Sequence, residues 1–292
     1  MTYFYYPGCS LKGTGRAYDE SLRAVFNALQ IEHKEIDDWN CCGATAYMAV
    51  DQDKAYALAS RNLALAENEG KPNGKPVEVM APCNACYLVL MKTQKKLEED
   101  ALGDRKLVNA LGEVGLNYNG KVTVRHPLDI LYNDIGLDAV GERVSEPLAN
   151  LKVACYYGCQ IVRPYSTFDD QYNPMVMDKV VESLGAEAIQ WPLKTRCCGG
   201  SMTGTIPEVG LRLSFILLKE AKKRGADVIV TTCPLCQFNL ECYQNEMKKE
   251  FGEEIDIPVV FFTQLMGKAF GLSDQELGLQ RLFVPFKTTA AV

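Results

Sequence analysis

Apolar positions along the chain follow two alternating periods. Val77–Met80 and Val228–Thr231 are short β-rich runs that lead straight into a CxxC and read as strands. The aromatic runs ending at Tyr5-Tyr6-Pro7-Gly8-Cys9 and Tyr156-Tyr157-Gly158-Cys159 read as strands as well. Between them the period lengthens. Residues 16–30 carry Leu22, Val25, Phe26 and Leu29 at helical spacing, and residues 51–67 form an alanine- and leucine-rich helix. Asn173-Pro174 opens a helix with the apolar face Met177, Val180, Val181 and Leu184, stopped by Gly185. Pro207 begins another, which ends in Lys222-Lys223-Arg224 before Gly225, with cations in the last turn and glycine just beyond. Strands alternating with such helices predict an α/β fold, with a mostly parallel sheet flanked by helices in each half.

The halves repeat one another. Residues 124–137 correspond to 259–272, a strand followed by a helix, and Gly136 falls on Gly271. Two domains are expected, residues 1–145 and 146–292, joined by the connection 142–150; a length of 292 residues fits two units of roughly 100–200 residues each. Residues 70–76, Gly-Lys-Pro-Asn-Gly-Lys-Pro, read as a surface loop. Thirty-one basic against 37 acidic residues give a net charge of −6 with no basic stripe, so a nucleic-acid partner has no electrostatic footprint. No apolar run approaches the roughly 18 residues of a membrane span. Residues 1–11 lack the basic and apolar regions of a signal peptide, and a cytoplasmic location is expected.

The chemistry lies in twelve cysteines, beside only two histidines, His33 and His126. The first half holds Cys9, the pair Cys41-Cys42, then Cys83 and Cys86. The second holds Cys159, the pair Cys197-Cys198, then Cys233 and Cys236. Both read C…CCG…CxxC, with Gly43 and Gly199 after the pairs. The gaps are 31 and 40 residues in the first half, against 37 and 34 in the second; the loop 70–76 accounts for the longer one. Such a doubled five-point pattern is an internal repeat, and repeats are to be settled before other readings.

A chain this long does not need a disulfide framework for stability, and in a reducing compartment many cysteines point to metal or redox chemistry. Structural zinc commonly takes two CxxC knuckles, whereas each half has one. Adjacent cysteines are poorly placed to share one tetrahedral ion but reach different irons of a cluster. A cubane cluster usually draws on a compact cysteine run, and none occurs. An unusual iron–sulfur cluster on five thiolates, four ligands with one reactive spare, zinc in one or both halves, and metal-free thiol catalysis all remain open at this point. No flavin or nicotinamide fingerprint is present: Gly13-Thr14-Gly15 continues into Arg16, Ala17 and Tyr18 without a third glycine, and reads as a turn.

The doubled pattern, from Tyr5 to Gly271, resembles the CCG-domain iron–sulfur proteins, and in particular the family of B-type subunits of heterodisulfide reductase. The resemblance implies two pseudo-twofold-related α/β domains, each binding a noncubane [4Fe-4S] cluster. It implies Cys9, Cys41, Cys42, Cys83 and Cys86 as ligands of the first cluster, and Cys159, Cys197, Cys198, Cys233 and Cys236 as ligands of the second. It further implies an oxidoreductase subunit acting on a thiol or disulfide held between the clusters, which reduce or form the disulfide by paired one-electron transfers. A ferredoxin-like subunit and a flavoprotein subunit are the implied partners, and no further catalytic residue is indicated. The alternative is a CCG electron-transfer subunit of a succinate dehydrogenase, fumarate reductase or lactate oxidation complex.

Two cysteines stand outside the repeat. Cys155 shares a strand face with Val153 and Tyr157 and is expected as a buried thiol, although its place four residues before Cys159 makes it a second candidate ligand. Cys242, beyond the second CxxC, is expected in the core. Trp39 and Trp191, just before the two pairs, are expected to pack rather than react.

Overall fold

A computed structural model describes residues 2–72, 74–103 and 105–287; of the loop 70–76, Asn73 lies outside the described residues. Among the described residues, eight strands form two sheets. β1 (Tyr3–Tyr5), β2 (His33–Glu35), β3 (Val77–Met80) and β4 (Val122–Arg125) make the first, in the order β2-β1-β3-β4. β5 (Lys152–Tyr156), β6 (Glu187–Ala188), β7 (Val228–Thr231) and β8 (Val259–Phe261) make the second, in the order β6-β5-β7-β8. Every pairing is parallel, with Tyr5 opposite Met80 in one sheet and Tyr156 opposite Thr231 in the other. The central strand β7 is buried at all four positions, as a parallel strand covered on both faces must be. The edge strands β2 and β6 are short and carry charge, which leaves them poor templates for further pairing.

The helices begin where side chains can satisfy their first amides. Asp51 accepts from the Lys54 backbone N–H at 3.2 Å and opens the helix Gln52–Gly70. Pro207 occupies the first position of Pro207–Lys223, where its missing N–H costs nothing. The helix expected from Asn173-Pro174 starts later, as Val176–Ser183. The Asp169 carboxylate accepts from the backbone N–H groups of Met175 (2.9 Å) and Val176 (2.8 Å), so the chain turns before it winds. The strand–helix segment after β4 winds as Pro127–Asp129 and then as a π-helix, Ile130–Ile135.

Two compact units emerge: residues Met1–Lys12 with Ile31–Pro127, and residues Gly13–Gln30 with Leu128–Val292. This division differs from the repeat boundary expected at residue 145, because residues 13–30 and 128–145 group with the second unit. The reason is side-chain packing. Tyr18, on the helix Arg16–Ala28, stacks on Phe261 at 4.4 Å between ring centroids, and Ser21 Oγ lies 2.6 Å from Thr263 Oγ1. Within the second unit the core gathers Tyr156, Trp191, Phe215, Leu218, Ile229, Leu240 and Val259. Cys198, Cys233 and Cys236 belong to that same cluster, so part of its wall is sulfur.

Candidate metal centres

In both sheets the strand order reverses at the strand that opens the unit, and the loops after the carboxyl ends of the strands carry the cysteines. That edge is where open α/β sheets hold ligands. After β1 the chain enters a short helix, Gly8–Leu11, that carries Cys9. Gly8 adopts φ +68°, and a Cβ there would lie 2.9 Å from the Cys86 Sγ, so only glycine fits. After β3, Cys83 precedes the helix Asn84–Leu102 and Cys86 sits in its first turn. The second unit repeats this with Cys233 before the helix Pro234–Glu241 and Cys236 inside it. The adjacent pairs lie in loops that end at Gly43 (φ +77°) and Gly199 (φ +101°).

The thiols converge within each unit. Cys42 Sγ is 3.3 Å from Cys86 Sγ, and Cys41 Sγ is 3.9 Å from Cys9 Sγ. Their counterparts Cys198 and Cys236 lie 3.5 Å apart. These separations are far longer than the ~2.05 Å of an S–S bond, and none of the twelve cysteines forms a disulfide. Three thiols of each five are buried, one is half-buried and one is exposed: Cys9 in the first set and Cys197 in the second. Among the described residues, no three His, Cys, Asp or Glu side chains close around a point that would hold a single metal ion.

Crowding distorts the acidity of these groups in a matched way. Cys41 is held well below the usual thiol range by hydrogen bonds from Cys42 and Cys9, and by the Gly43 backbone N–H. Cys197 is lowered likewise by Cys159 and Cys198, with Gly199 N–H 3.3 Å from its sulfur and Arg163 adding positive charge. Cys9 and Cys159 are pushed up, first by their hydrogen bonds to Cys41 and Cys197 and then by burial. Cys86 and Cys236 are raised by the neighbouring thiols and by burial. Five thiols this close cannot all ionise alone, because like charges a few ångströms apart repel. A cationic group bound among them removes that penalty, and five soft sulfur donors suit iron–sulfur chemistry or zinc. Donors arranged in pairs rather than around one point fit a multi-iron group, whose ligands sit on different irons.

The CC loops are held by residues that the spacing did not single out. Tyr6 Oη donates to the Asn40 carbonyl at 2.8 Å, and Tyr156 Oη donates to the Arg196 carbonyl at 2.6 Å. Each thus anchors the residue just before its pair, and the tyrosine repeat in the sequence was the available signal. Trp39 and Trp191 pack against these rings, at 5.6 and 6.0 Å between centroids. Asn239 was not foreseen: its amide donates to Cys198 Sγ at 3.4 Å and to the Gly200 carbonyl at 2.7 Å.

Cys155 lies elsewhere. It is fully buried beside Asp178 and Lys194, with its thiol pushed up by burial and then by the Asp178 carboxylate. Cys159, by contrast, sits against Cys197, which pushes its thiol up. Cys242 is half-buried rather than central, and its thiol is pushed up to about 12 by burial and by Glu241 and Glu246. A cavity of about 360 Å³ lined by Tyr47, Leu58, Arg61, Leu111 and Val114 contains none of the cysteines in its lining. No helix among the described residues is long and apolar enough to cross a membrane.

Two parallel sheets, each with five thiols at its carboxyl edge, define a doubled cysteine-rich α/β protein. The chain belongs to the CCG cysteine-rich domain family, whose model matches residues 3–91 and 153–241. It is 31% identical to the 8-methylmenaquinol:fumarate reductase membrane anchor subunit of Wolinella succinogenes, over 94% of each chain. It is also 31% identical to a protein of Archaeoglobus profundus that is like the B-type subunit of heterodisulfide reductase, over 95% of this chain and 93% of that one. A crystal structure of a hypothetical protein from Helicobacter pylori matches with a TM-score of 0.77 at 13% identity, over 98% of this chain. This chain spans about half of that protein (52%), and the likeness is one of fold.

Proposed function

We propose that the chain is an iron–sulfur subunit of a heterodisulfide reductase-type complex. Cys9, Cys41, Cys42, Cys83 and Cys86 would hold one noncubane [4Fe-4S] cluster, and Cys159, Cys197, Cys198, Cys233 and Cys236 a second. The observation that carries the reading is the gathering of five thiols, none in a disulfide, at the carboxyl edge of each sheet. The likeness to the heterodisulfide reductase-like protein of Archaeoglobus profundus supports it. When bound, such clusters supply one-electron transfer next to sulfur-binding iron. Splitting a disulfide takes two electrons, which matches the doubling of a one-electron site within one chain.

The chain's own residues prepare that chemistry. Tyr6 and Tyr156 fix the paired-cysteine loops through their backbone carbonyls, so two thiols per site are positioned before anything binds. Gly43 and Gly199 aim their N–H groups at Cys41 and Cys197, 3.5 and 3.3 Å away, and share the negative charge there. The buried thiols exclude water from one side, while exposed Cys9 and Cys197 leave the other side reachable. Electrons would arrive through a ferredoxin-like subunit and a flavoprotein subunit, and the substrate would be a thiol or disulfide.

A second reading rests on the fumarate reductase relative: an electron-transfer subunit serving a dicarboxylate reductase. Anaerobic purification of the native complex separates the two. The first reading expects the flavoprotein and ferredoxin-like subunits to co-purify, with disulfide cleavage driven by a reduced viologen dye. A dicarboxylate-reducing flavoprotein with fumarate-dependent dye oxidation, and no disulfide cleavage, would transfer the assignment to the second.

A further inference from the structure

The two thiol sets match in burial but not in what surrounds the sulfurs. Each has three buried thiols, one half-buried and one exposed, so exposure gives neither site a clear advantage. Backbone donors match too: Gly43 and Gly199 point at the first cysteine of each pair, and Ala44 and Gly200 serve Cys42 and Cys198. The difference comes from side chains. Three residues after Cys86 stands Val89, whose aliphatic side chain can donate nothing; three residues after Cys236 stands Asn239. Asn239 is fully buried and fixed at both ends, its carbonyl accepting from Thr203 Oγ1 at 2.9 Å and its amide reaching Gly200 O and Cys198 Sγ. Four residues after the first ligand stands Gly13 in one half and Arg163 in the other. The Arg163 guanidinium donates to the Thr195 carbonyl and so sets its charge on the loop two residues before Cys197.

We infer that the two sites are electronically unequal, and that Asn239, assisted by Arg163, gives a cluster in the second site the higher reduction potential. The inference rests on the iron–sulfur reading above and extends it to specific residues. Adding an electron makes a cluster and its thiolates more negative. A hydrogen bond to sulfur and a nearby cation both stabilise the reduced form relative to the oxidised one. At equilibrium, the first electron from a one-electron reductant therefore rests on the Cys159–Cys236 set. Asn239 acts through Cys198 and is a positioning residue, not a catalytic one.

The test is a redox titration of the full-length, anaerobically reconstituted chain, followed by electron paramagnetic resonance beside iron quantification. A Cys159→Ala variant assigns the two midpoints. The expected wild-type result is two midpoints, the higher belonging to the second site. Asn239→Val should move that midpoint down and leave the other in place. Arg163→Gln should move it in the same direction by less. Because Asn239→Val orphans Thr203 and can weaken loading, Val89→Asn provides an independent gain: the lower midpoint should rise. Coincident wild-type midpoints, a higher potential at the first site, or iron-replete variants with unmoved midpoints would overturn the inference while leaving the cluster assignment intact. A chain that takes up no iron would remove both.

Discussion

Gly199 and Gly210 meet backbone to backbone: a Cβ on Gly199 would lie 3.0 Å from the Gly210 Cα. The same contact recurs in the first unit, where a Cβ on Gly43 would lie 3.0 Å from the Ala55 Cα. The glycine of each CCG motif therefore serves two needs, a positive φ and room for the helix that follows. Gly199→Ala should lose about 1–2 kcal/mol from the left-handed backbone alone, and more from the clash. Gly210→Ala is the sharper test. Alanine normally gains up to about 1 kcal/mol over glycine inside a helix, but a Cβ here would lie 2.4 Å from the Thr203 nitrogen. Thermal melts under anaerobic conditions should show destabilisation; a stabilised Gly210→Ala would contradict the packing.

Cys155 and Cys159 should respond oppositely to alanine. Cys159 sits with Cys197, whereas Cys155 faces Asp178 and Lys194. Cys155→Ala should keep both clusters, and Cys159→Ala should lose the second. Electron paramagnetic resonance reads this directly, and the reverse pattern would move the ligand to Cys155.

Lys194 and Asp178 form a buried ion pair at 2.5 Å, with side chains 4% and 0% exposed. Tyr157 Oη also donates to Asp178 at 2.7 Å. Removing only the cation leaves a buried carboxylate poorly compensated, so Lys194→Met should cost about 3–5 kcal/mol. Adding Asp178→Asn should recover much of that loss in urea unfolding. Equal loss in the single and double variants would show that the charge is not what matters.

Glu241 gives a pH signature. Burial raises its carboxyl from 4.5 to about 7, against hydrogen bonds from the Val284 and Phe283 backbone and from Gln237. Between these values the folded chain holds a proton that the unfolded chain has released. The stabilisation is full below pH 4.5 and is lost as pH rises through about 7. Glu241→Gln keeps an acceptor for the two N–H groups but removes the titration. The difference in stability, wild type minus variant, should fall as pH rises across that window, and a flat difference would refute the assignment.

Much of this was legible in the cysteines. Spacing alone marked both sets, and the β-rich runs before each CxxC proved to be β3 and β7: β7 is buried at every position, as its near-continuous apolar run suggests, whereas β3 is interrupted by Glu78, which pairs with Arg125. The partner of an amphipathic helix is not written in its period. Arg16–Ala28 follows the first cysteine, yet Tyr18 stacks on Phe261. Asn173-Pro174 suggested an earlier helix start because proline is a good first residue, but Asp169 captures the amides further on. Asn239 was invisible for another reason. It lies one helical turn beyond Cys236, and only its three-dimensional place beside Cys198 gives it meaning.

Iron and acid-labile sulfide per chain test the central claim most directly. Both halves keep all five cysteines and gather them alike, so each should carry one four-iron cluster. Anaerobically purified protein should then hold about eight irons, with matching sulfide. About four irons with one zinc would reduce one half to a structural role and replace disulfide cleavage by single-electron relay. No iron, even after reconstitution, would contradict the account.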